Sequence, residues 1–248
     1  MDGSRRGWDP RADEAGTREL LWATAQRAIA YRAGVEERRV GARPGLTADE
    51  LRARLGGPLP DGGEDRATLV ERLVADVDDG LVAMSSPRYF GFVVGGSVPA
   101  AFATDWLVST WDQNVGLYLA TPAASIVEEV AASWLVDLLG LPPGTSVGFT
   151  TGATMANFTA LAAARHAVLR SAGWDVEEDG LVGAPPVHVV LGEHVHASMV
   201  IAFRLVGFGR RGARRVAVDG EGAMLAADLR RTLAELPPGP AIVAAQAG

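Results

Sequence analysis

Residues 146–157, Ser-Val-Gly-Phe-Thr-Thr-Gly-Ala-Thr-Met-Ala-Asn, gather the residue types of an anion site. The turn from Thr150 to Thr154 holds three hydroxyls around Gly152 and Ala153. A glycine there allows φ > 0 and lets the backbone approach a ligand closely. The apolar spacing that follows, through Phe158, Leu161, Ala162, Arg165, Val168 and Leu169, predicts a helix over 153–170. The first N–H groups of such a helix have no partner within it. Together they carry roughly half a positive charge, so a hydroxyl-rich turn opening a helix suits a phosphate. The same residues also fit an ordinary strand-to-helix turn capped by threonine.

Two other groups could do chemistry. His194 and His196 follow Glu193, and on a strand the two imidazoles would share a face. A metal site needs further ligands of similar reach. His166 falls in a helical pattern and His188 in a strand pattern, so no metal is expected. At the C-terminal end of a parallel strand, where ligands of open α/β sheets collect, His196 could stack on a flat heteroaromatic. A capping or core histidine is the alternative. The second group is residues 85–99, Ser-Ser-Pro-Arg-Tyr-Phe-Gly-Phe-Val-Val-Gly-Gly-Ser-Val-Pro. Aromatics interleaved with glycine suit an extended segment lining a pocket, or a loop crossing the core.

Absences narrow the chemistry further. There is no cysteine, hence no disulfide framework and no thiolate. All 23 basic residues are arginine, so no reaction needing a lysine amine can be completed by these residues alone. A net charge of −7 argues against a nucleic-acid surface. No apolar run reaches the roughly 18 residues of a membrane span, and residues 1–9 lack the apolar stretch of a signal peptide. A soluble cytoplasmic protein with no membrane or nucleic-acid partner is the expectation. Gly207-Phe-Gly-Arg-Arg-Gly212 matches G-x-G-x-x-G. It would follow a helix and precede a strand, the reverse of the dinucleotide fingerprint.

The elements that must position these groups are legible in outline. Residues 1–13 read as a disordered lead, 17–32 as a helix and 35–44 as a loop. Thr47 and Glu50 form a capping box for a short helix ending at Gly56. Leu69, Leu73, Val77 and Leu81 predict a helix over 65–84. Helices this short and amphipathic need a partner surface. Residues 100–111 and 122–139 read as two more helices. In the second, Pro122 suits the first position, Gly140 ends the helix, and Ile126, Val130, Trp134 and Leu138 form an expected core stripe. Strands are predicted at 147–150 (buried), 187–191, 215–218 and 241–245, with helices at 153–170, about 197–206 and 223–236. The β-α-β-α-β-α-β order implies a parallel sheet with crossover helices. A doubly wound domain usually continues past such a last strand, so the chain reads as cut in mid-domain.

Taken together, these residues resemble a known family. Pro87-Arg-Tyr-Phe-Gly-Phe92, Trp111-Asp-Gln-Asn114, Thr150-Thr-Gly-Ala-Thr-Met-Ala-Asn157, Gly173-Trp-Asp-Val176, Gly183-Ala-Pro-Pro186 and His196-Ala-Ser198 occur in that order in the group II pyridoxal-phosphate-dependent amino-acid decarboxylases, the aromatic-amino-acid and glutamate decarboxylase type. The resemblance covers residues 85–248, and more weakly the helices before them. It implies the aspartate-aminotransferase type I α/β fold, here an incomplete parallel-rich sheet preceded by a helical segment. Residues 1–84 would be a dimer-forming segment and 85–248 the N-terminal part of the large cofactor domain.

The implied cofactor is pyridoxal 5′-phosphate. Gly152, Ala153 and Thr154 would hold its phosphate, His196 would stack on its ring, and Ser198 would support the pocket. Phe92, Val93, Val94 and Gly95 would line the substrate pocket. Family members are dimers with the site at the subunit interface, so residues 111–114 would face a neighbour. The family's Schiff-base lysine, the histidine before it and the aspartate that pairs with the ring nitrogen have no counterpart here. The expectation is therefore a fragment of an amino-acid decarboxylase, inactive by itself. Alternatives are a non-catalytic module pairing with an intact relative, a relic that does not fold stably, and another lyase or an aldehyde-forming enzyme on the same scaffold.

Overall fold

A computed structural model describes residues 10–209 and 211–245, which group into two units, Met1–Gln113 and Asn114–Gly248. In the first unit, α1 spans Pro10–Gly34. It starts earlier than its periodicity suggests. Residues 1–9 of the expected lead lie outside the described residues, but 10–13 have helical backbone. A proline at the start of a helix sacrifices no hydrogen bond. Helix α2 is Ala48–Leu55, and its capping box is present: Glu50 N–H donates to Thr47 Oγ1, and Thr47 N–H to the Glu50 carboxylate.

Helix α3, Arg66–Asp78, is capped by the Asp65 carboxylate, which accepts from Thr68 N–H. It stops six residues before the expected end. Its exit is held by long-range bonds: Arg43 N–H donates to Asp79 O at 2.7 Å and Ala83 N–H to Val40 O at 2.8 Å. The Asp79 carboxylate accepts from both Arg43 and Arg54 at 3.1 Å. Hydrogen bonding by Arg54, and then by Arg43, keeps that carboxyl below its ordinary range. These bonds override a leucine spacing that would carry the helix through Leu81. Arg27 and Glu71 tie α1 to α3 at 2.7 Å. Helix α4, Pro99–Trp111, closes on Asp112 in the left-handed region.

The second unit begins with α5, Pro122–Leu138. Its end is a Schellman turn: Leu141 N–H donates to Val136 O, Gly140 N–H to Asp137 O, and Gly140 has φ 62. The expected core stripe is not a core. Trp134 is 71% and Leu138 80% exposed, and Ile126 and Val130 are exposed too. The spacing gave an apolar face correctly, but no described element covers it.

After α5 come α6 (Ala153–Ser171), a short α7 (Val176–Asp179) within residues 173–186, which from sequence read as loop, β1 (His188–Gly192), α8 (Ala197–Leu205), β2 (Arg214–Val216), α9 (Ala226–Ala234) and β3 (Ala241–Ala244). The strands form a parallel sheet of order β2-β1-β3, with Val190 beside both Arg214 and Val243. The expected strand at 147–150 is absent from it. These residues have no ladder partner among the described residues, and most are exposed; apolar character without a neighbouring strand does not make a sheet. Helix α9 is shorter than expected because 218–224 fold into a turn closed by an antiparallel bridge, Val218 to Met224. The core joins Leu161 of α6, Val189 and Leu191 of β1, Ala202 and Phe203 of α8, Val206 and Ile242 of β3.

Candidate functional site

Strand β1 and helices α6 and α8 converge on one place. β1 is buried from Val189 to Gly192 because helices and neighbouring strands cover it, as its run of apolar residues requires. Its C-terminal end leads through Gly192-Glu-His-Val to α8, whose N-cap is His196. Arg215 Nη1 donates to Gly192 O at 3.1 Å and Glu193 N–H to Val216 O at 2.9 Å, fixing that exit.

Helix α6 begins at Ala153 with Gly152 as N-cap and no side chain closing it. Its first intrahelical bond from this end is Ala156 N–H to Gly152 O at 3.0 Å. The threonine-cap alternative therefore fails: Thr150 Oγ1 donates to Gly152 O instead. Gly152 has φ 163, an extended value, so it is not chosen for left-handed backbone. A Cβ at this residue would meet nothing within 4 Å. The turn thus presents small residues and uncapped N–H groups to open space, as an anion cradle needs.

The two helix starts are joined by side chains. Ser198 N–H donates to His196 Nδ1 at 3.2 Å, so the imidazole is the cap of α8. Ser198 Oγ lies 2.9 Å from the same Nδ1 and 3.1 Å from Asn157 Nδ2. Ser198 is buried while the His196 residue is exposed. Sequence reasoning singled out His196 and Ser198 but gave Asn157 no role. The available signal was an Asn one turn inside a helix, a position its side chain disfavours unless it has a partner.

The remaining candidates separate. His194 and Glu193 are exposed, and no group of three metal-binding side chains occurs among the described residues. His166 Nδ1 lies 3.6 Å from Glu177, and Arg165 reaches Val206 O at 3.0 Å. Phe92, Val93, Val94 and Gly95 belong to the other unit, in a loop. Phe92 is 94% and Val93 fully exposed, with φ 57 and 53. Left-handed backbone at a β-branched valine is strained, at about 1–3 kcal/mol per residue. The G-x-G-x-x-G segment follows α8 and precedes β2, as expected, with Arg210 outside the described residues.

Comparison with known proteins bears on this arrangement. The pyridoxal-dependent decarboxylase conserved domain matches residues 49–248. Tryptophan decarboxylase 1 of Oryza sativa subsp. japonica is 31% identical over 190 residues, 72% of this chain and 35% of that protein. The aromatic-L-amino-acid decarboxylase of Bacillus atrophaeus is 27% identical over 70% of this chain and 34% of its own. The crystal structure of mouse CSAD superposes with a TM-score of 0.80 at 26% identity, over 95% of this chain and 49% of that one. That of Oryza sativa TDC with PLP and tryptamine gives 0.80 at 24% identity, over 92% and 47%. The chain thus spans about a third of these curated relatives and about half of these solved chains. The expected type I α/β fold holds, represented here by a small parallel sheet and its helices. No described helix is long and apolar enough to cross a membrane.

Proposed function

Because the chain belongs to the pyridoxal-dependent decarboxylase family, with pyridoxal 5′-phosphate as its cofactor, we propose that these residues supply the phosphate and ring-face half of a site that decarboxylates an L-amino acid. The residues present fit that group. Uncapped N–H groups at Ala153 and Thr154, beside a Gly152 with open space above it, suit a phosphate. The single observation that carries the reading is the link from this helix start, through Asn157 and Ser198, to His196 at the sheet's C-terminal end. Gly152, Ala153 and Thr154 would hold the phosphate, Ser198 would brace the pocket, and His196 would lie against the ring.

When bound, the group would supply an electron sink for the bond to the departing carboxylate. This chain's contribution is to orient the ring and shield one face from water. The 248 residues contain no lysine, so the amine for covalent attachment would come from outside them. By themselves these residues would be inactive. Phe92, Val93, Val94 and Gly95 would contribute an apolar wall to the substrate pocket, with no charged selector among them.

A homodimer in the cytoplasm completes the proposal, with residues 1–84 as the pairing segment of a cofactor domain beginning at 85. Its support is an apolar groove on the first unit, about 900 Å³, lined by Leu21, Trp22, Trp106 and Leu107, all exposed. Sedimentation of wild type against Trp22→Glu tests it: a dimer that dissociates supports the segment, and a monomer at all concentrations removes it. The absence of lysine also favours the second reading, a non-catalytic module paired with an intact relative.

The deciding experiment is a pyridoxal 5′-phosphate titration followed by ³¹P NMR. Wild type should bind reversibly without covalent attachment. Gly152→Val should keep its melting temperature, since its Cβ meets nothing, yet bind at least tenfold more weakly because the side chain fills the cradle. Equal affinity would remove the phosphate assignment. For activity, these residues joined to a relative's lysine-bearing half should release carbon dioxide from some amino acid; none from any amino acid tried would end the decarboxylase reading.

A further inference from the structure

We infer that Asn157 is a positioning residue for His196, acting through Ser198 to hold the imidazole in one orientation and as its Nε2–H tautomer. The inference rests on the cofactor reading for its purpose, but its geometry stands on this chain alone. The starting point is a donor that cannot turn round. Ser198 N–H is backbone, and it points at His196 Nδ1 from 3.2 Å. Nδ1 must therefore present its lone pair, and the ring proton resides on Nε2.

The rest follows by elimination. Ser198 Oγ is 2.9 Å from the same Nδ1. With no proton on that nitrogen, the hydroxyl must be the donor. Its oxygen is then left with lone pairs only, facing Asn157 from 3.1 Å. The group that suits it is the amide nitrogen, as the structure has it. The relay runs Asn157 Nδ2–H to Ser198 Oγ–H to His196 Nδ1, each member satisfied by the next. Were the amide turned over, its oxygen would take the serine proton and Nδ1 would lose one of its two donors.

The consequence concerns the exposed ring. Nδ1 is occupied and tethered to the start of α8, so the imidazole cannot swing about its Cβ–Cγ bond without losing its cap. The free edge, Nε2–H, stays a donor. A fixed imidazole is the form that can lie flat on an electron-drawing ring. Asn157 reaches this from α6, so the helix whose start would hold the phosphate also sets the ring partner. One rigid element would then fix both ends of the ligand.

The test is ¹⁵N NMR of the four histidines in the whole 248-residue chain at about pH 8, where an ordinary imidazole is neutral, with His196 assigned by its loss in His196→Gln. The expected result is an unprotonated Nδ1 and a protonated Nε2 on His196. Asn157→Asp keeps the shape but offers only acceptors, so the serine proton turns toward it. The ratio of Nε2–H to Nδ1–H forms should then fall about five- to tenfold, the worth of one net hydrogen bond, while Asn157→Gln partly restores it. A dominant Nδ1–H form in wild type overturns the proposal, as does an unchanged ratio in a folded Asn157→Asp. Should Asn157→Asp fail to fold, Ser198→Ala serves: it cuts the relay, and its ratio should fall while the backbone cap keeps Nδ1 the minor site of protonation. The cofactor reading fails separately. It does so if added pyridoxal 5′-phosphate leaves the His196 resonances unmoved while the wild-type tautomer is as expected.

Discussion

Helices α5 and α8 carry apolar residues at equally regular spacing, yet one is bare and the other is core. In α8, Phe203 is 2% exposed and Ala202 fully buried, because β1 and α6 lie against it. In α5, Trp134 and Leu138 face outward. Periodicity reports that a helix has an apolar face; it is silent on what covers that face. The cover for α8 lies within its own unit, a strand a few residues upstream and helix α6 two elements before that strand. A cover for α5 must come from elsewhere.

The largest expected effect tests this contrast directly. Phe203→Ala should destabilise the chain by about 3–5 kcal/mol in urea unfolding, the cost of emptying a packed aromatic site. Trp134→Ala should change it by no more than about 0.5 kcal/mol, since alanine is the better helix former. If Trp134→Ala costs as much as Phe203→Ala, the α5 stripe is covered in solution and the contrast disappears.

A smaller effect compares the two units by their caps. Thr47→Ala removes the side-chain half of the α2 capping box, leaving the backbone N–H to Glu50 bond, and should cost about 1 kcal/mol, read as loss of far-UV helix signal on mild heating. The α6 start has no cap to lose, so Thr150→Ala and Thr151→Ala should leave stability unchanged. If either lowers the melting temperature as far as Thr47→Ala, the α6 start is closed by a hydroxyl and is not a free cradle.

Legibility in the sequence followed the range of the interactions. The capping box at Thr47 and Glu50, the Gly140 stop and the three strands of a parallel sheet depend on neighbours or on short crossovers, and all were readable; the order of those strands within the sheet was not read. The end of α3 was not, because Arg43 and Arg54 reach Asp79 from 36 and 25 residues away. The strand expected at 147–150 failed for the same reason, since its partner cannot be read from the four residues Val-Gly-Phe-Thr. At the site, Gly152 and His196 were readable by type. Asn157 was not, because its partner Ser198 lies 41 residues on, and only the packing of α6 on α8 brings them together.

The smallest expected effect separates the units by acid. Asp228 accepts from Ala217 N–H at 2.8 Å and from Arg231, and these bonds, the backbone one first, hold its carboxyl below the ordinary range. Asp79 in the other unit is held low by Arg54 and Arg43. A carboxyl whose value is depressed on folding adds stability above its unfolded value, about 3.9. That stability is lost as pH falls through the folded value. Asp228→Asn can still accept the Ala217 N–H, so at neutral pH it gives up only the charge-assisted part. Its deficit should therefore begin to shrink as pH drops below about 4 and vanish below the depressed folded value, where the wild-type carboxyl is neutral too, and the two stability curves should converge. The exit of β2 into α9 should show this in hydrogen exchange at Ala217 while Ala83, beside Asp79, keeps the wild-type acid profile. Parallel curves at every pH would mean that the Asp228 charge contributes nothing and the amide bond alone holds β2 to α9.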